Sequence, residues 1–236
     1  VYLVDRTIPM LPEILGNDLC SLVPGKDRLC MSAIFMMDKD ARVKSEWFGR
    51  TVIHSRRRFT YEEAEKSIQK PAMPLHKELK ILNELAKKLT RERFARGAIS
   101  LEQEEVRFVL DEKGVPVRVE IKERGDSNRL IEEFMLLANK KVAEGLAPKG
   151  GGQEHVSIYR VHDEPSREKM AELAAFLRSL GLKAPLVRGI IPSREINKLL
   201  EGLATAESAM TDTIHRAVIR SMARAVYSTK NIGHYG

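Results

Sequence analysis

A chain of 236 residues, 43% hydrophobic and 31% charged, can bury a sizeable core, and its composition excludes the disordered class. No apolar run approaches the roughly 18 residues of a membrane span, which argues against a membrane protein. The net charge of +7 and a pI near 9.4 form an electrostatic footprint for a polyanion partner, although a solvated surface rich in Lys and Arg carries the same balance.

Residues 1–60 read mainly as strand. Two prolines in Ile8-Pro9-Met10-Leu11-Pro12-Glu13 make an ordered apolar loop rather than sheet interior. The run Leu29 to Met37 is apolar with little alternation, which predicts a strand buried on both faces. A polar turn, Asp38-Lys39-Asp40-Ala41, and a second strand from about Arg42 to His54 complete a hairpin. Leu75, Leu79, Leu82, Leu85, Ala86 and Leu89 share one face of an amphipathic helix over 75–94, with Gly97 as its stop. A second hairpin is expected where Glu105 to Asp111 and Pro116 to Lys122 flank Glu112-Lys113-Gly114. Asp126-Ser127-Asn128 offers capping side chains to a helix through Leu130 to Ala138. A loop rich in Gly and Lys spans 147–152, a short strand runs from Val156 to Val161, and helices are expected at about 166–180, 193–202 and 208–228. Hairpins mixed with helices imply an α+β fold with a mixed or antiparallel sheet and flanking helices. No composition shift demands a domain boundary.

Few residues point to chemistry on their own. Cys20 and Cys30 are too few for a disulfide framework and lack metal-ligand spacing, so they read as two buried thiols in a reducing cytoplasm. Gly150-Gly151-Gly152 lacks the strand-turn-helix setting of a nucleotide loop, and Asp38 with Asp40 sits in a turn. His162-Asp163 follows a strand, where a histidine serves either a site or the scaffold. Arg56-Arg57-Arg58 beside Phe59 and Tyr61 combines phosphate-binding cations with base-stacking rings, or forms a solvated turn. Arg216, Arg220 and Arg224 recur every four residues in the last expected helix. That face either tracks a phosphate backbone or is simply exposed opposite Ile214, Val218, Met222 and Val226.

Longer strings carry a resemblance. Val1-Tyr2-Leu3-Val4-Asp5-Arg6-Thr7-Ile8-Pro9-Met10-Leu11-Pro12, Leu19-Cys20-Ser21-Leu22 and Phe59-Thr60-Tyr61-Glu62 are similar to signatures of the ribonuclease II and ribonuclease R family. So are the helix Leu130 to Asn139, Tyr159-Arg160-Val161-His162-Asp163-Glu164-Pro165 and Gly233-His234-Tyr235-Gly236, all in the family's order. The Leu-Val-Asp-Arg and Val-His-Asp-Glu-Pro wording leans toward the ribonuclease R branch. The chain is therefore identified as part of an RNB-type catalytic domain over 1–236.

The resemblance implies a hydrolytic 3′-to-5′ exoribonuclease that threads single-stranded RNA into a channel and releases nucleoside 5′-monophosphates. It implies magnesium ions held by an Asp cluster, with water activated by two metals. It carries Tyr2 over as the ring at the 3′-terminal nucleotide, Phe48 as an aromatic clamp on the base stack, and Arg220 as a phosphate contact. Trp47, next to Phe48, is expected on the opposite strand face. The family's Asp cluster lies upstream of the stretch that matches Val1, and its Ser-Pro-Ile-Arg-Arg stretch lies downstream of Gly236. Both ends thus read as cuts through a longer protein, and the chain alone is expected to be inactive and to bind no metal. The alternative is a non-catalytic RNA-binding relative, distinguished by the sequence upstream of Val1. A basic scaffold with no RNA role is the third reading.

Overall fold

A computed structural model describes residues 3–99, 106–121, 124–146, 157–204 and 209–235. The chain forms two compact units, one from Val1–Leu89 and Gln103–Ala138 and the other from Thr90–Glu102 and Asn139–Gly236. Tyr2, Val156 and the Gly-rich loop at 147–152 lie outside the described residues.

The first unit opens on an exposed loop and a single π-helical turn, Ile14–Leu19. Strands β1 (Asp27–Met37) and β2 (Val43–His54) pair antiparallel from Asp27↔His54 to Met36↔Ser45. The turn between them is organised by Asp38. Its carboxylate accepts the backbone N–H groups of Asp40 and Arg42, each at 2.9 Å, and these bonds with the Lys44 ammonium hold its pKa down at about 2. The expectation that Leu29 to Met37 is buried on both faces is not met. Burial alternates, and Leu29 (87% exposed) and Met31 (75%) lie open beside Val52. Among the described residues β1 is paired along one edge, with β2, and an apolar run does not distinguish a covered strand from one whose face is open.

Helix α1 (Tyr61–Gln69) was not among the expected elements. It starts at a capping box: Thr60 Oγ1 accepts the N–H of Glu63 at 3.1 Å, and Glu63 Oε2 accepts that of Thr60 at 2.9 Å. Helix α2 (His76–Ala95) matches its expected span, but its buried face is centred on Asn83 and Ala86. Leu75 precedes it at φ 56°, and both Leu75 and Leu82 are exposed. Asn83 belongs inside because its amide donates to Asp126 Oδ2 at 2.9 Å. Strands β3 (Val106–Leu110) and β4 (Pro116–Ile121) form the second hairpin, and α3 (Asp126–Leu146) follows. Ile68, Ala86 and Leu130 form a small apolar core, flanked by Leu79 and Phe134.

In the second unit β5 (Tyr159–Val161) pairs antiparallel with β6 (Val226–Ser228). Helix α4 (Arg167–Ser179) starts at Ser166, whose hydroxyl accepts the Lys169 N–H at 3.3 Å. It ends in a Schellman pattern at Gly181, φ 76°, with Gly181 N–H on the Arg178 carbonyl and Leu182 N–H on that of Leu177. Helices α5 (Ser193–Ala204) and α6 (Ala209–Ser221) complete it. Met170, Leu177, Ile191, Ile196, Ile214 and Val218 are at most 2% exposed and form its core. The last helix is shorter than the expected 208–228. Ser221 turns its hydroxyl back onto the Val218 carbonyl at 2.6 Å, and Val226 to Ser228 leave the helix to pair with β5.

The class is α+β. The single mixed sheet, however, is replaced among the described residues by three separate two-stranded antiparallel sheets. The thiols also depart from expectation: Cys20 is exposed and Cys30 half-buried, and they are not bonded to each other. Among the described residues no helix is long and apolar enough to cross a membrane.

Candidate nucleic-acid interface

The segment from Arg56 to Tyr61 leaves β2 and enters α1, so a strand end and a capped helix fix its two ends. Arg56, Arg57 and Arg58 are all exposed. The Arg57 guanidinium lies 4.7 Å from the Phe59 ring centroid, a cation–π contact that orders the cation without neutralising it. Beyond Phe59 a cavity of about 740 Å³ opens, walled by Arg58, Phe59 and Tyr61 and floored by Ile68, Leu79 and Leu130. Tyr61, 48% exposed, also borders a smaller cavity of about 220 Å³ with Arg107, Glu120 and Asn128. Cation, ring and apolar floor in this order suit a phosphate contact followed by a base.

Two acidic groups at the rim, Glu62 and Glu120, are stabilised in their charged form. Glu62 is held below the usual carboxylate range first by its own backbone N–H and then by the Thr60 hydroxyl. Glu120 is lowered first by its hydrogen bond from Arg107, whose Nη2 stands 3.0 Å from Glu120 Oε2. Among the described residues no three His, Cys, Asp or Glu side chains converge to hold a metal ion, so the divalent ions implied by the resemblance do not fit this set of residues.

The residues singled out in the sequence are dispersed. Tyr2 lies outside the described residues. Phe48 is 37% exposed on β2 and packs edge-on against Phe35, with centroids 6.0 Å apart and planes at 78°. Arg50 and Val52 follow on the same strand face. Trp47 points to the opposite face and folds over Gly49, where a Cβ would meet the indole at 2.5 Å. In the second unit Arg216 and Arg220 are exposed on one face of α6, opposite the buried Ile214 and Val218. Arg216 pairs with Asp212 at 3.6 Å, while Arg220 makes no ion pair among the described residues. Arg224 falls beyond Ser221 and is not part of the helical stripe, which therefore has two arginines rather than three.

His162 has a structural partner. Its Nδ1 lies 2.8 Å from Nδ1 of His234, and its backbone N–H donates to the Gly233 carbonyl at 3.1 Å. Desolvation first, then His234 and Arg160, push its pKa below the ordinary value. Tyr235 donates its hydroxyl to the Ile191 carbonyl at 2.7 Å. The segments around His162 and at 233–235 are thereby brought together.

Sequence reasoning weighed Phe59 and Tyr61 but did not see that they wall a cavity. The signal was Thr60-x-x-Glu63, a capping pattern that starts α1 at Tyr61 and so sets its direction.

The RNB domain family matches residues 1–236. The chain belongs to this family. Ribonuclease R of Thermotoga maritima is 40% identical over the whole of the RNB chain, which covers 33% of that protein. Ribonuclease R of Escherichia coli is 35% identical, again over the whole chain and 29% of the relative. The RNB chain thus spans about a third of the length of the curated relatives it matches. Mycoplasma genitalium RNase R in complex with ribose-methylated single-stranded RNA superposes with a TM-score of 0.83 at 26% identity, covering 96% of this chain and 35% of that one.

Proposed function

We propose that this chain is the RNA-guiding portion of a hydrolytic 3′-to-5′ exoribonuclease that degrades single-stranded RNA to nucleoside 5′-monophosphates in the cytoplasm. The observation that carries the reading is the match of all 236 residues to the RNB family, with relatives named ribonuclease R at 40% and 35% identity. A solved RNase R complex with single-stranded RNA supports the choice of ligand. The unbonded thiols, one of them exposed, suit a reducing compartment.

In this reading Arg56, Arg57 and Arg58 neutralise phosphates, and Phe59 and Tyr61 offer rings to a base entering the cavity. Phe48 supplies a further stacking ring, Tyr2 retains the 3′-terminal nucleotide, and Arg220 contacts a phosphate. Every contact here is to phosphate or to a ring face, so recognition is independent of base sequence. The described residues do not fit the magnesium ions that the family implies, so the bond-breaking step is assigned to none of them. The purified chain, incubated with labelled unstructured RNA and magnesium, is expected to bind the RNA without shortening it. Progressive shortening from the 3′ end that a chelator stops would overturn this division of labour. An absence of RNA binding would overturn the guiding role.

A further inference from the structure

Tyr61 faces the two cavities from the first position of a short helix, and a carboxylate one turn further on ties that helix to the start of α3. Glu65 Oε2 accepts the backbone N–H of Ser127 at 2.9 Å, and its Oε1 accepts Gln69 Nε2 at 2.9 Å. Ser127, 4% exposed, in turn donates its hydroxyl to the carbonyl of Tyr61 at 3.0 Å. The N–H that Glu65 captures lies in the first turn of α3, where helix donors lack internal partners and the positive dipole end favours an anion. Gly125 makes room for the approach: a Cβ there would stand 2.5 Å from Glu65 Oε2 and 3.0 Å from its Cδ. Asn128 Oδ1 accepts the Gly125 N–H at 3.2 Å and holds that glycine against the carboxylate. The bonds are reciprocal. α1 gives an acceptor side chain to α3, and α3 returns a donor to the Tyr61 peptide.

We propose that Glu65, seated between Gly125 and Ser127, is a positioning residue that fixes the angle at which the Tyr61 ring meets an RNA base. The inference rests on the assignment of Tyr61 to RNA. Apolar packing of Ile68 and Leu130 holds the two helices near each other but is non-directional. The two hydrogen bonds supply the direction, because each reaches the backbone of the partner helix. Loss of the carboxylate leaves the ring present but free to lie across either cavity.

The test uses the 236-residue chain carrying 3-fluorotyrosine, with the Tyr61 resonance assigned through Tyr61→Phe. Glu65→Ala is expected to shift that resonance and to weaken binding of an unstructured oligoribonucleotide by about tenfold, the size of one lost stacking contact. Glu65→Gln keeps an acceptor for the Ser127 N–H and is expected to restore both. In Glu65→Ala/Tyr61→Ala the affinity should fall no further than in Tyr61→Ala alone, because both changes act through one ring. Additive losses, or an unmoved resonance in a folded Glu65→Ala variant, overturn the positioning role. A moved resonance together with no effect of Tyr61→Ala on affinity leaves the positioning intact and defeats the RNA assignment instead. If Glu65→Ala fails to fold, Glu65→Asp keeps the charge but draws the carboxylate back from the Ser127 N–H. It carries the same two expectations at smaller size, and an unmoved resonance there overturns the proposal.

Discussion

The two units bury different chemistry. The one built on α4, α5 and α6 encloses Met170, Leu173, Leu177, Ile191, Ile214 and Val218 at 4% exposure or less, and among the described residues its buried polar side chain is Ser221, bonded within its own helix. The one built on α1 and the first turns of α3 encloses Ile68, Ala86 and Leu130 alongside the polar Ser67, Asn83, Ser127 and Glu133. Apolar burial is strong and undirected, whereas a buried polar side chain contributes little net stability but demands one geometry. Asn83 and Ser127 tie α1, α2 and α3 through Asp126, Glu65 and the Tyr61 carbonyl, and the cavities that Tyr61 borders lie in that unit. Lys87 and then Asn83 hold the Asp126 carboxylate below its ordinary pKa, so it is charged at neutral pH. The first unit thus adds directed bonds between helices to its apolar packing, where the second relies chiefly on apolar packing.

The sharpest way to break this contrast is Leu177→Ala in the apolar interior. It should cost about 3 kcal/mol in chemical denaturation, from lost transfer energy and the cavity left behind. A cost below about 1 kcal/mol would mean that α4 to α6 are not a close-packed core. In the first unit Phe48→Ala should matter to ligand rather than to fold. It should reduce the affinity of the chain for unstructured RNA by about 1 kcal/mol or more, a stacking contribution, with a smaller change in denaturation midpoint. An unchanged affinity in the folded variant would remove Phe48 from the interface.

A smaller effect is expected from pH in the second unit. The pKa of His162 is depressed in the folded chain, so below the unfolded value of 6.5 the unfolded chain binds more protons. Stability should be full above about pH 6.5 and should fall as pH drops below it. Denaturation midpoints at pH 7.5 and pH 5.5, compared between the native chain and His162→Gln, measure this. An equal drop in both would show that His162 contributes nothing to it. The smallest effect belongs to Arg220→Ala. It should lower the salt slope of log affinity for single-stranded RNA by about 0.7 and leave stability unchanged, since the side chain is exposed. An unchanged slope would return Arg220 to the role of a surface cation.

Local pattern made much of this fold legible. The hairpins at β1–β2 and β3–β4 follow from polar turns between apolar runs, and α4 follows from Ser166 at one end and Gly181 at the other. What stayed hidden depends on distant partners. Nothing near Asn83 says that it is buried, because the reason is Asp126, 43 positions away. Val226 to Ser228 continue a helical pattern on paper and become β6 only because Tyr159 to Val161 are there to pair with them. The exposed faces of Leu29 and Met31 were misread because composition reports how apolar a strand is and not what covers it. At the candidate interface the residue types at 56–61 were visible, but the cavity was not. Its floor comes from α1, α2 and α3 at positions as far apart as Ile68 and Leu130.

The central claim is that Arg56, Arg57 and Arg58 lead single-stranded RNA to the cavity walled by Phe59 and Tyr61. The most direct measurement is the affinity of the chain for an unstructured oligoribonucleotide across a salt series, compared with the variant in which all three arginines are Ala. Each lost phosphate contact on a single strand should reduce the slope of log affinity against log salt by about 0.7, so the variant should lose roughly 2 in slope while remaining folded. The same slope and affinity in both proteins would contradict the account.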